Sequence, residues 1–185
     1  KDSNLISHLL IEYALQKKIN EIIFIPTPFM YHNNYNQNLE YCLLLNGFNI
    51  SEHYISSIIP LNTDNPLKNI HKRKKRYINK VNNQLQVKIS RDLDAFYPIL
   101  VENKTRHQVL PTHTLEELKI LQEKFPDRIK LLLTYKRDKI IGGTLNFITN
   151  YTTCIMFYNM ILYKYVNLQP ASFQIYKTIE WAKKQ

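Results

Sequence analysis

Five consecutive cations, Lys72-Arg73-Lys74-Lys75-Arg76, followed by Lys80, are the densest charge in the sequence. On a helix Lys72, Arg73, Arg76 and Lys80 share one face, while Ile70, Tyr77, Ile78 and Val81 lie elsewhere and can anchor it. Such a face suits phosphate, which guanidinium groups take through paired hydrogen bonds. The candidate anion-binding set is Lys72, Arg73, Arg76 and Lys80, with Tyr77 at the border of their face, against the plain alternative of a solvated helix face. Arg106, His107 and His113 form a second cluster, at a helix end and in the loop after it. Histidine titrates near neutrality, so His113 is a candidate general base. A capping or packing role is the alternative. The two histidines are six residues apart, without regular metal spacing and with no cysteine nearby, so zinc is not expected. Gly142-Gly143 lies inside a strand pattern and reads as a bulge or a close backbone contact, not a phosphate loop. Walker, GxSxG and HExxH motifs are missing, which removes support for nucleotide-triphosphatase and hydrolase chemistry.

The elements that must position these residues come from 185 residues, 44% hydrophobic and 22% charged, enough for one sizeable core or parts of two. A net charge of +10 fits an anionic partner, although many Lys, Asn and Ile residues with three Gly are also what an AT-rich gene encodes. No apolar run is long enough to span a membrane and the chain opens directly into a helical pattern, so the expectation is a soluble, cytoplasmic protein. Cys42 and Cys154 read as buried thiols of a reducing compartment.

Periodicity predicts helices over 3–18 and 37–46, the second ending at Gly47 in a left-handed cap. Strands are expected at 21–25 and through Tyr54, Ile58 and Ile59. Thr63-Asp64-Asn65-Pro66 is the best internal boundary, giving segments 1–62 and 68–185 joined by a linker at 63–67. Beyond it the pattern predicts a basic helix over 66–83, a strand at 85–89 and helices at 92–106 and 114–124. Thr114 and Glu117 form a capping box on the second of these helices. Strands follow at 129–136, 139–148 and 151–160, the first two joined by a tight turn at Arg137-Asp138, and Pro170 opens a last helix. Ile11-Glu12-Tyr13-Ala14 is echoed 168 residues later by Ile179-Glu180-Trp181-Ala182.

Strand, helix, helix, three antiparallel strands and helix is similar to the first two-thirds of a GNAT acyltransferase domain, and residues 1–62 resemble the last third. The stretch from Pro26 through Tyr31 to Tyr41-Cys42-Leu43-Leu44-Leu45-Asn46-Gly47-Phe48 resembles the close of the first unit in the FemAB-like branch, which joins two GNAT units in tandem. Arg76-Tyr77-Ile78-Asn79-Lys80 resembles the basic helix opening the second unit there. Asn103-Lys104-Thr105-Arg106-His107 with Pro111-Thr112-His113-Thr114-Leu115-Glu116-Glu117-Leu118 and Phe125-Pro126 resembles a bacterial GNAT-like group of the same superfamily.

The resemblance implies an α/β (α+β) fold with a mixed, largely antiparallel central sheet flanked by helices. It leaves open whether the two segments form one permuted composite domain or exchange elements in a homodimer. It also implies transfer of an acyl or aminoacyl group to an amine, with a cell-wall or polysaccharide precursor as one class of acceptor. The implied catalytic candidates are His113, Glu102 and Tyr158. Arg106 and His107 would lie near the amine or its carrier. No cofactor is firmly implied. The donor is either aminoacyl-tRNA or acyl-CoA, and the anionic partner a nucleotide-linked precursor, tRNA or CoA. One departure bears on that choice. The turn Tyr165-Val166-Asn167-Leu168-Gln169-Pro170-Ala171-Ser172 has no glycine where acetyl-CoA enzymes hold pyrophosphate on bare amides, so a CoA cradle is not expected there. Two readings compete with acyl or aminoacyl transfer of this kind: a non-catalytic basic domain that binds nucleic acid or acts as a scaffold, and an acetyl-CoA-dependent N-acetyltransferase.

Overall fold

Three apolar runs separated by short turns, at 129–136, 139–150 and 153–161, build the antiparallel core of this protein. The computed structural model describes residues 2–28, 32, 34, 36–150 and 152–185; Tyr31, Tyr35 and Tyr151 lie outside them. The chain divides into two compact units, Lys1–Ser57 and Ile58–Gln185.

In the first unit α1 (Asp2–Gln16) packs on α2 (Asn38–Leu45). Asn46 holds the pair together: its side-chain amide donates to Asn4 Oδ1 at 2.9 Å, Ser7 Oγ at 3.0 Å and the Cys42 carbonyl at 2.8 Å. Gly47 takes φ +90° as expected. Its amide donates to the Leu44 carbonyl and that of Phe48 to Leu43, a helix end in which a left-handed residue lets two orphan carbonyls be satisfied. The strands expected at 21–25 and 54–59 do not form. Ile23, Ile25, Tyr54 and Ile55 are 73%, 84%, 83% and 99% exposed, because an apolar run becomes a strand only where a neighbour pairs with its backbone.

The second unit holds a sheet of four strands, β1 (Leu85–Ser90), β2 (Ile129–Lys136), β3 (Lys139–Asn150) and β4 (Thr153–Ile161), in the order β1-β2-β3-β4 and antiparallel throughout. Arg137 takes φ +53° in the tight turn between β2 and β3. On one face α4 (Leu93–Arg106) and α5 (Leu115–Lys124) set Leu93, Phe96, Leu100 and Leu118 against Leu131, Leu133, Leu145 and Tyr158. On the other, α3 (Lys72–Val81) and α6 (Pro170–Ala182) bring Ile78, Val81 and Phe173 against Leu85 and Ile141. The mixed α/β architecture, an antiparallel sheet flanked by helices, is thus the expected one.

Gly142 and Gly143 sit where β2 and β3 slip register between Thr134 and Tyr135, leaving Ile141 as the extra residue of a bulge. A Cβ on Gly142 would meet the Gln174 side chain and lie 2.5 Å from the Met160 carbonyl; one on Gly143 would lie 2.8 Å from that of Leu132. The pair is glycine because backbone and helix approach the strand too closely for a side chain. The basic helix begins later than its apolar pattern suggests, at Lys72, where His71 Nδ1 accepts the Arg73 amide at 3.3 Å as N-cap. The turn before α6 contains a 3-10 helix, Tyr163–Leu168. Both cysteines are free and partly buried. Among the described residues no helix is long and apolar enough to cross a membrane.

Candidate functional site

β4 carries a second bulge. Leu145 pairs with Tyr158 and Asn146 with Met156, so Phe157 has no ladder partner on β3 and its neighbours turn away from strict alternation. The Phe157 ring stacks on Phe147, with centroids 4.8 Å apart, and meets Tyr158 edge to face at 4.8 Å. Against this aromatic shelf stands His113, its ring centroid 5.4 Å from that of Phe157 and 6.2 Å from that of Phe147.

His113 Nδ1 lies 3.3 Å from Tyr158 Oη, and which atom donates depends on the imidazole tautomer. Two devices hold the histidine there. The Tyr97 hydroxyl donates to the His113 carbonyl at 3.3 Å, and the next residue, Thr114, begins α5 in a complete capping box with Glu117. The Thr114 amide donates to Glu117 Oε2 at 2.7 Å and the Glu117 amide to Thr114 Oγ1 at 3.2 Å. The Thr114 amide, then its hydroxyl, hold the Glu117 carboxyl below the usual carboxylate range, with a smaller contribution from His113. Tyr158 is only 2% exposed while His113 is half-buried. Lys104 Nζ lies 5.8 Å from the centre of the Tyr158 ring.

Glu102 does not join this group: it is exposed on α4, with no bond to His113 or Tyr158 among the described residues. His107 caps α4 at the surface, its amide donating to the Lys104 and Thr105 carbonyls. Arg106 lies over the Tyr163 ring, with Cζ 3.7 Å from the centroid.

The α3 cations form a separate group. Lys72, Arg73, Arg76 and Lys80 are all exposed, and Ile70, His71, Lys72, Arg73 and Arg76 line an open hollow. Burial of Ile78 and Val81 anchors the helix beneath them. Arg73 lies 5.8 Å from the centre of the Tyr77 ring. Hydrogen bonding and charge from that guanidinium hold the Tyr77 phenol below its usual range, with lesser help from Arg76 and Lys74. No acidic residue occupies the first turn of α3, so its N-terminal cations oppose the helix dipole uncompensated. Lys74 instead reaches α6, donating to Gln169 Oε1 at 3.3 Å and Ser172 Oγ at 3.1 Å.

The start of α6 offers little to a diphosphate. Pro170 has no N–H, and the Ser172 and Phe173 amides already donate to the Gln169 carbonyl, at 3.1 and 3.3 Å. Of the first helical residues this leaves Ala171 alone with a free amide. A coenzyme A pyrophosphate, which needs several bare amides at once, does not fit this turn.

Three residues of the site were not legible. Phe147, Phe157 and Tyr97 are ordinary aromatics in a sequence with 13 Tyr and 8 Phe, and the consecutive apolar residues Ile155-Met156-Phe157-Tyr158 are the one trace of the bulge.

No protein-family model matches the chain, and no curated protein matches it. Among solved structures, an aminoglycoside acetyltransferase from an uncultured soil metagenomic sample, crystallised in complex with sisomicin, is similar to 56% of this chain and 73% of its own length, at 13% identity and a TM-score of 0.45.

Proposed function

We propose that this protein transfers an acyl or aminoacyl group to an amine, in the manner of a GNAT-like transferase. The observation that carries the proposal is the contact of His113 with Tyr158 at the bulge of an otherwise regular strand. In this scheme the amine nitrogen attacks the acyl carbonyl carbon, forming the new C–N bond and a tetrahedral oxyanion. His113 takes the proton the amine sheds, while Tyr158 fixes the tautomer and orientation of the imidazole. The backbone at Phe157, which has no register partner on β3, is the candidate donor to the oxyanion. Collapse breaks the bond from carbonyl carbon to the leaving oxygen or sulfur, and the imidazolium returns the proton to that atom. No covalent enzyme intermediate is needed.

The α3 cations would hold the phosphate of donor or acceptor, with Arg106 and His107 nearer the amine or its carrier. The poor diphosphate cradle at α6 favours a donor bound otherwise than acetyl-CoA usually is, aminoacyl-tRNA being one, and a cell-wall or sugar amine is the acceptor class to try first. Incubation of the protein with each donor and acceptor, read by mass spectrometry, is expected to show acyl addition to the amine. His113→Gln should lower its rate by about 10²–10⁴-fold. No addition with any pair, or full activity of His113→Gln, would overturn the proposal.

A second reading is favoured by the cations of α3, none of which is in a salt bridge among the described residues: a non-catalytic basic domain that binds nucleic acid. It predicts transfer-RNA binding that falls steeply with salt and is indifferent to acceptor amines.

A further inference from the structure

We propose that one end of the Ile58–Gln185 unit docks on an anionic lipid membrane, whether or not the chemistry above holds. Strand register defines that end: Leu85 faces Lys136, Lys136 faces Lys139, and Gly142 faces Ile161. The C-terminus of α4 is pinned to the same end, because the Asn103 side chain bonds both the Ile161 carbonyl and its amide. The loop leaving α4 therefore projects beside the β2–β3 turn and the 3-10 helix.

Two properties coincide there. The first is charge: Lys104, Arg106, Lys136, Arg137, Lys139 and Lys164 belong to the elements that meet at this end, and none of them is in a salt bridge among the described residues. Against them stand Glu102 and Asp138. Aromatic rings splint three of the cations, with Arg106 over Tyr163 at 3.7 Å and Lys136 and Lys164 over Tyr165 at 5.5 and 5.6 Å. The second is exposed apolar surface: Val109, Leu110 and Val166 are 49%, 84% and 42% exposed. The loop leaves α4 through Gln108 at φ +57°, with the Val109 amide donating to the Lys104 carbonyl at 3.2 Å.

An apolar tip ringed by cations matches the lipid interface, which takes Leu and Val into the acyl boundary and offers anionic headgroups around them. A nucleic-acid backbone would satisfy the cations and leave Leu110 in water. The occupant is thus a membrane surface, with the protein lying on it and not spanning it.

The test is co-sedimentation of the full chain with vesicles of phosphatidylcholine alone or with about 30% phosphatidylserine added. The expected result is at least tenfold preference for the anionic vesicles, weakening as salt is raised. Leu110→Asp should lower that binding about tenfold with an unchanged melting temperature, and Arg137→Glu with Lys139→Glu should lower it likewise. Absence of preference for anionic vesicles overturns the proposal. So does unchanged binding by Leu110→Asp, which would mark a surface that reads charge alone. Binding of transfer RNA without vesicle binding also overturns it, in favour of a nucleic-acid surface.

Discussion

At the scale of single residues, side-chain type and side-chain environment carried different information. His113 was a candidate by its chemistry, whereas Tyr158, one of 13 tyrosines, was a candidate by the resemblance alone, and its contact with His113 is what distinguishes it in the structure. Cys154 shows the opposite case, a reactive residue type that its environment silences. Burial raises its thiol pKa from 9.0 to about 11. At pH 8 only about one such thiol in a thousand is thiolate, so alkylation of Cys154 in the native protein should be far slower than in the unfolded chain. The folded state then binds more protons than the unfolded state between those two values. The contribution of this thiol to stability is complete below pH 9 and is lost as pH rises through 11. Iodoacetamide labelling followed by peptide mapping checks the first expectation, and denaturant midpoints of the protein and of Cys154→Ser from pH 8 to 11 check the second. Rapid labelling of native Cys154 at pH 8 would contradict both.

At the scale of elements, the second unit was largely written in local pattern. Helices expected at 92–106 and 114–124 are found at Leu93–Arg106 and Leu115–Lys124, and Pro170 does open the last helix. Caps and turns explain this success: Thr114 with Glu117, the turn at Arg137, and proline at N1 are instructions carried by neighbouring residues. The strands expected at 21–25 and 54–59 failed because pairing is not local, and apolarity alone did not reveal whether a neighbour would be present. The same distinction explains why the role of Asn103 could not be read. Its side-chain amide donates to the Ile161 carbonyl at 2.6 Å and accepts the Ile161 amide at 3.3 Å, serving the edge of β4 as a paired strand would. Asn103→Leu keeps the apolar packing of α4 but leaves two buried backbone groups of Ile161 without partners. It should destabilise the protein by about 2–4 kcal/mol, read as a lowered denaturant midpoint at unchanged slope, with faster hydrogen exchange at the Ile161 amide. A loss below about 0.5 kcal/mol would mean that β4 is satisfied by another group.

At the scale of the whole molecule, the question left by composition is whether the net charge of +10 is a property of the gene or of a surface. A uniform bias would place about eight of the 25 cations in residues 1–57, yet that segment has three, with five acidic residues, while residues 58–185 have 22 with ten. The positive charge therefore belongs to one unit, and within it α3 concentrates six cations in nine residues without an acidic neighbour in its first turn. Net charge acts at long range and is indifferent to position, whereas a surface that neutralises phosphates weakens by a fixed increment for each phosphate it no longer meets. The two can be separated by paired substitutions that change net charge equally. Lys17→Gln with Lys18→Gln should leave binding to an immobilised polyanion nearly unaltered. Arg73→Gln with Arg76→Gln should lower the salt needed for elution and reduce the slope of log affinity against log salt by about 0.7 for each phosphate no longer neutralised. Both arginines are exposed and Ile78 and Val81 hold the helix, so the second pair should fold normally, as circular dichroism and the melting temperature can verify. Equal shifts from the two pairs would mean that the protein responds to its total charge. A shift confined to the arginine pair would mean that α3 is the binding surface.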